Sequence, residues 1–215
     1  MTRWLGWLAA LGVVAALVMA FGVAPRELTQ GNVQRIMYVH VPAVWVAYLA
    51  FLVVFAASIA YLWRRHPGAD RLAHAAAEVG ALFLAVNIAT GAIWGKPTWG
   101  TWWTWDARLT SVAVVFVIFI GYLMVRRMTE DEDRGARFAA VVGIIGALNI
   151  PLVHFSVYWW RTLHQPPTFM KPGPAAAAGS IGAALFVSFA GLALLGAYFI
   201  AKRVRLLRAV EEPAV

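Results

Sequence analysis

The sequence predicts an all-α integral membrane protein with six transmembrane helices, both termini in the cytoplasm, and a tryptophan-rich loop on the opposite, outer face. Three observations predict it. Of 215 residues, 62% are hydrophobic and only 13% charged, against about 45–50% and about 25% in soluble domains. Six apolar runs reach or approach the roughly 20 residues that a helix needs to cross a bilayer core. Lys and Arg alternate in density from loop to loop, with 12 of the 18 on one side, which is the asymmetry that orients membrane helices.

The six runs cover residues 4–24, 43–63, 75–94, 109–125, 138–157 and 179–201, and the whole chain, 1–215, reads as one membrane domain. The first contains Val18-Met19-Ala20, which resembles a signal cleavage site. Its apolar stretch from Trp4 to Ala24 exceeds the about 7–15 residues of a signal core, so it is read as a retained anchor. The fourth run is the shortest. Between spans, the 64–74 and 126–137 loops and the tail Lys202-Arg203-Val204-Arg205-Leu206-Leu207-Arg208 carry most of the positive charge. This places them in the cytoplasm, the tail against the anionic leaflet. The acids from Glu130 to Asp133 count little in that rule.

Composition also excludes functions. A net charge of +8 is accounted for by these loops, and no nucleic-acid-binding motif accompanies it, so no nucleic-acid partner is expected. With no cysteine, there is no disulfide, thiolate metal site, cysteine nucleophile or C-x-x-C-H haem attachment site. A G-x-x-x-x-G-K-[ST] loop is missing, so nothing indicates that the chain binds ATP by itself. No arrangement of general acid, base and nucleophile marks an enzyme.

The unusual chemistry lies on the outer face. Trp94, Trp99, Trp102, Trp103, Trp105, Trp159 and Trp160 are seven of the 11 tryptophans, and all map to two outer regions. An aromatic belt populates both interfaces and does not predict that bias. If 99–106 forms a short helix, Trp99, Trp102, Trp103 and Asp106 share one face. Spacing leaves a ligand platform and an interface anchor equally open. Asp106 precedes span four and suits an N-cap. Gly95-Lys96-Pro97 and Gly100 read as turn material. His40, followed by Val41-Pro42, is expected about one turn above the entry to span two, and His164 follows an aromatic pair. His66 and His74 fall on a cytoplasmic loop. Asn87, Asn149 and His154 lie inside spans, where polar groups face the bundle interior. They either line a ligand route or hydrogen-bond between helices. Imidazoles are common metal ligands and standard haem axial ligands. Stacked indoles suit a flat macrocycle, with Arg35, Lys96, Arg108 or Arg161 available to its propionates.

WGKPTWGTWWTWDARLTS resembles the WWD segment of the membrane haem-handling family of cytochrome c assembly. The stretches around His40 (RIMYVHVP) and His164 (FSVYWWRTLHQ) resemble the segments flanking that family's two outer histidines. With six spans, the chain is most similar to the haem exporter protein C branch, over roughly residues 3–205. The resemblance implies a periplasm-facing site in the bacterial inner membrane holding non-covalent, b-type haem. His40 and His164 would be the axial iron ligands. Trp99, Trp102, Trp103, Trp105 and Asp106 would form the platform, and Trp94, Arg108, Trp159, Trp160 and Arg161 complete the candidate haem-binding set. It further implies delivery of haem to a membrane-anchored periplasmic haem chaperone, beside an ABC-type ATPase, its membrane partner and a small accessory membrane protein. A transmembrane haem transporter subunit and a purely structural ABC subunit are the competing readings.

Overall fold

The computed structural model describes residues 2–166 and 179–211; Lys171, one of the six outer Lys and Arg residues, lies outside them. Six helices long and apolar enough to cross a membrane account for nearly all of the described chain. They are α1 (Thr2–Val18), α2 (Met37–Arg64), α3 (Pro67–Trp99), α4 (Ala107–Val125), α5 (Glu132–Trp159) and α6 (Gly179–Glu211). A five-residue π-turn, Met19–Val23, extends α1, and a 3-10 turn, Val33–Ile36, leads into α2.

Local chemistry sets the helix ends. Arg65 takes a left-handed backbone (φ 54°), donating its N–H to the Tyr61 carbonyl at 2.8 Å and closing α2. His66 then caps α3, its Nδ1 accepting from the Gly68 N–H at 3.1 Å, with Pro67 at the first helical position. So short a connection forces α2 and α3 antiparallel. The His74 imidazole sits 3.2 Å from Glu78, one turn along α3. The two cytoplasmic-loop histidines of the sequence reading are thus parts of this helix and its cap. The Asp106 and Asp131 side chains accept from the N–H groups of Leu109 and Arg134, starting α4 and α5.

Several helices outrun the apolar segments that announced them. Hydropathy registers only the part that avoids water, whereas main-chain hydrogen bonding carries the helix onward. Two expectations change as a result. Residues 99–106 form no helix: α3 continues through Gly95-Lys96-Pro97 to Trp99. There Gly100, in the left-handed region at φ 78°, bonds the Lys96 carbonyl and ends it. Pro97 lies in the last turn, where its missing N–H costs the helix one main-chain bond, and the Thr98 hydroxyl donates to the Trp94 carbonyl at 2.7 Å. His40 also sits within α2 rather than a turn above it, with Pro42 inside the helix.

In the core, α2 packs against α3, α5 and α6, α4 against α3 and α5, and α1 lies against α6. Phe51 and Phe119 stack at 3.6 Å between ring centroids. Gly80 makes room for that stack, since a Cβ there would lie 2.5 Å from the Phe51 ring. Along the lipid-facing sides Leu, Val, Ile and Phe are exposed, as a bilayer solvent permits. The register of α2 on α3 brings the start of α2 beside the end of α3, and there the site forms.

Candidate functional site

One cavity opens at the end of the bundle where α2, α4 and α6 begin and α3 and α5 finish. Its volume is about 170 Å³. His40, Trp94, Trp99, Trp103, Arg108, His154 and His164 all line it. Three stretches far apart in sequence therefore meet at one place.

His40 projects from the end of the first turn of α2 onto α3. Its Nδ1 lies 3.0 Å from the main-chain carbonyl oxygen of Asn87 and 3.2 Å from the Thr90 hydroxyl. A carbonyl only accepts, so this bond puts the ring proton on Nδ1 and leaves Nε2 with a free lone pair. Thr90 donates its own proton to the Val86 carbonyl at 2.7 Å and can accept from the imidazole. The Asn87 amide donates to the His40 carbonyl at 3.0 Å. It sits 3.2 and 3.3 Å from the two ring nitrogens, a near-equal spacing that only a position over the ring face allows. Gly91 is the floor, for a Cβ there would lie 2.9 Å from His40 Cε1. Trp94 stands edge-on to the imidazole at 5.7 Å, its indole N–H fixed by the Gln30 side chain at 2.8 Å.

His164 repeats the arrangement from a different direction. Its Nδ1 faces the main-chain carbonyl of Gln165 at 2.8 Å, and its ring lies edge-on to Trp99 at 6.2 Å. Burial, and then the charge of Arg108, hold its pKa below the ordinary histidine value, so it is a neutral imidazole at pH 7. Both histidines line the cavity, each with Nδ1 tied to a peptide carbonyl.

The other candidates divide. Trp94, Trp99 and Trp103 line the cavity, whereas Trp102 and Trp105 are 57% and 80% exposed and do not. Trp159 and Trp160 are exposed on the end of α5, where Trp159 stacks on Phe155 at 5.5 Å. Asp106 is not on the cavity wall either. It caps α4, and its Oδ2 accepts from the Thr104 hydroxyl at 3.1 Å and the Leu163 N–H at 3.2 Å. Burial works to raise its pKa, but the N–H groups of Leu109 and Leu163 and the hydroxyls of Thr162 and Thr104 outweigh it and hold the carboxylate ionised. Asp106 therefore staples the tryptophan loop to the segment that carries His164.

Of the four cations available from sequence, Arg108 alone lines this cavity. One of its nitrogens donates to the carbonyls of Val153 and His154, at 2.7 and 3.3 Å, and no described carboxylate pairs with it. Lys96 bonds the Gly100 carbonyl, Arg161 is exposed, and Arg35 donates to the Ala20 and Ala24 carbonyls at the end of α1. Asn87 bonds between helices, while Asn149 only bonds back to Ile145 on its own helix. Sequence reasoning missed Gln30, Tyr48, Thr90 and Gly91. The one signal for two of these is the Asn87, Thr90, Gly91 spacing, which puts all three on one helix face.

Residues 1–212 match the family model of heme exporter protein C. The heme exporter protein C of Bradyrhizobium diazoefficiens is 43% identical over 173 residues, covering 80% of this chain and 66% of that protein. The Escherichia coli K12 protein of the same name is 39% identical over 169 residues, 77% of this chain and 69% of its own length. A putative ccmC-like mitochondrial protein of cytochrome c biosynthesis from Marchantia polymorpha is 40% identical over 158 residues, 74% and 67% of the two chains. The match thus spans about two thirds of each relative's length. With the family model matched almost end to end over this bundle, the chain belongs to the heme exporter protein C family.

Proposed function

We propose that the protein binds haem in this cavity at the periplasmic face of the bacterial inner membrane, with His40 and His164 as axial ligands. The observation that carries the reading is the matched pair of imidazoles. In each, Nδ1 is engaged by a peptide carbonyl, the outer-shell arrangement that fixes tautomer and ring orientation in metal-binding histidines. The rest of the lining fits a flat, largely apolar molecule with an acidic edge. Three indoles supply flat surface, and the Tyr48 hydroxyl and Trp103 N–H are buried on the lining without a partner. Arg108 supplies a cation for a propionate. Binding is non-covalent, since the chain has no cysteine to form a thioether.

The sparse positive charge of the loops at this end supports a periplasmic orientation, with both termini inside. The haem is presented there to a membrane-anchored periplasmic haem chaperone, and energy comes from an ABC-type ATPase with its membrane partner and a small accessory protein. In this reading the chain is a single membrane domain that hands over its cargo and is no enzyme itself. The test is the visible spectrum of the full chain purified in detergent from haem-replete cells. A six-coordinate, low-spin Soret band is expected, lost or shifted to high spin in His40→Ala and in His164→Ala. A band unchanged in both variants would sink the ligand assignment, and a colourless protein would favour a purely structural subunit.

The floor beneath His40 gives a second expected result. Gly91→Val puts a branched side chain where a single Cβ already meets the ring at 2.9 Å, and α3 cannot yield without losing the Asn87 bonds. Haem retention falls about tenfold or more, the scale on which outer-shell disturbance affects metal affinity, while Gly22→Val, in open space, leaves it unchanged.

A further inference from the structure

We propose that the two axial histidines are unequal: His40 is the anchored ligand and His164 the exchangeable one, so that an incoming ligand enters on the His164 side. This rests on the bis-histidine haem reading above. The inequality comes from what each imidazole must break in order to leave. His40 is built into the α2–α3 hairpin. Its Nδ1 is bonded to Asn87 and Thr90, its ring face is covered by the Asn87 amide, and Gly91 and Trp94 close two further sides. Withdrawal would strand a buried Nδ1 proton, and a buried donor left without a partner is costly. Rotation toward α3 is blocked, because nothing larger than a glycine hydrogen fits there.

Among the described residues His164 meets neither constraint. It lies on the 160–166 segment, which is neither helix nor strand, between the exposed residues Leu163 and Gln165. The acceptor for its Nδ1 is the carbonyl of the very next residue. That bond travels with the imidazole, so departure leaves no polar group of the ligand unpaired. What restrains the segment lies in its main chain: the Thr162 hydroxyl accepts from the His164 N–H at 3.1 Å, and Asp106 accepts from the Leu163 N–H. With haem bound, His164 would give up its Nε2 bond to the incoming donor and leave as a neutral imidazole, its proton still on Nδ1 against the Gln165 carbonyl, so the exchange would need neither a proton nor an electron.

Carbon monoxide tests this on the reduced, haem-loaded full chain in detergent, because it must displace one histidine to bind. The wild-type adduct is expected to share its Soret position and C–O stretching frequency with that of His164→Ala, and to differ from His40→Ala. Carbon monoxide binds about tenfold or more slowly to the wild type than to His164→Ala, since only molecules with His164 away are open to it. A wild-type adduct matching His40→Ala, or an equal mixture of both, overturns the proposal. If the alanine variants do not fold, two milder ones decide. Asp106→Asn, which weakens the restraint on the His164 segment, accelerates binding about tenfold or more with an unchanged C–O stretch, the scale on which loss of an outer-shell group acts. Thr90→Val, which loosens His40 instead, changes the rate less than Asp106→Asn does; the reverse pattern refutes the assignment. Survival of the six-coordinate spectrum in both alanine variants would instead remove the bis-histidine reading itself.

Discussion

Arg108→Leu is expected to lower the haem content of the purified protein by about ten- to a hundredfold, comparable with the loss of an outer-shell partner at a metal site. The residue stands in the first turn of α4, where one nitrogen reaches across to the carbonyls of Val153 and His154. That contact aims the guanidinium into the cavity and leaves its remaining N–H groups available to a carboxylate. In the proposed site those groups meet a haem propionate away from bulk water, where an ion pair is far stronger than at the surface. Arg108→Lys should fall between, for an ammonium restores the charge but not the two-pronged geometry. Arg161→Leu and Lys96→Leu change residues exposed at the mouth and should leave haem content within about twofold, as surface ion pairs contribute little. The measurement is Soret absorbance per protein after identical purification. If Lys96 or Arg161 proves essential and Arg108 dispensable, the acidic edge of the haem lies at the mouth, with the apolar edge inward.

The largest expected effect on stability lies at the opposite end of the bundle. Arg126, just after α4, forks onto Asp70 in the first turn of α3, with two nitrogen–oxygen contacts of 2.6 and 2.5 Å. Both side chains are only 15% exposed. Asp70→Asn leaves a shielded guanidinium without its counter-charge. Breaking a fully buried pair in this way costs about 3–5 kcal/mol, and with some water access here about 2–3 kcal/mol is expected. Asp70→Asn/Arg126→Gln should recover part of that loss, because no lone charge remains. Thermal unfolding in detergent measures both variants. Asp70 is 17 residues before Asn87 on the same helix, roughly 25 Å away at 1.5 Å per residue. The folded fraction of Asp70→Asn should therefore keep the wild-type haem spectrum. A protein that unfolds normally but loses its haem band would show that the two ends of α3 are coupled.

The number and order of the helices were legible in the sequence because crossing a bilayer is a local requirement. A segment must be apolar for about 20 residues whatever surrounds it, and six runs met or approached that length. The same alternation put His40, the tryptophan loop and His164 at one end of the bundle. The Asp106 cap was readable for a similar reason: its partner is three residues away. The His66 cap is just as local, yet the loop reading passed over it.

What the tertiary structure alone decided concerns directions and pairings between distant segments. Sequence could count seven outer tryptophans. Their division into those that wall the cavity and those that face outward depends on where α3 ends, and Gly100 ends it at Trp99. Had 99–106 been helical, Trp102 would have shared a face with Trp99; as a loop, the segment turns Trp103 inward and leaves Trp102 and Trp105 outside. Asn87 looked like any intramembrane polar residue until the register of α3 on α2 set its carbonyl 3.0 Å from the His40 imidazole. Arg108 was one of four equivalent cations until α5 supplied the carbonyls that aim it. Hydropathy and capping act along the chain and can be read from it. A ligand's outer shell is assembled across helices, at distances fixed by packing.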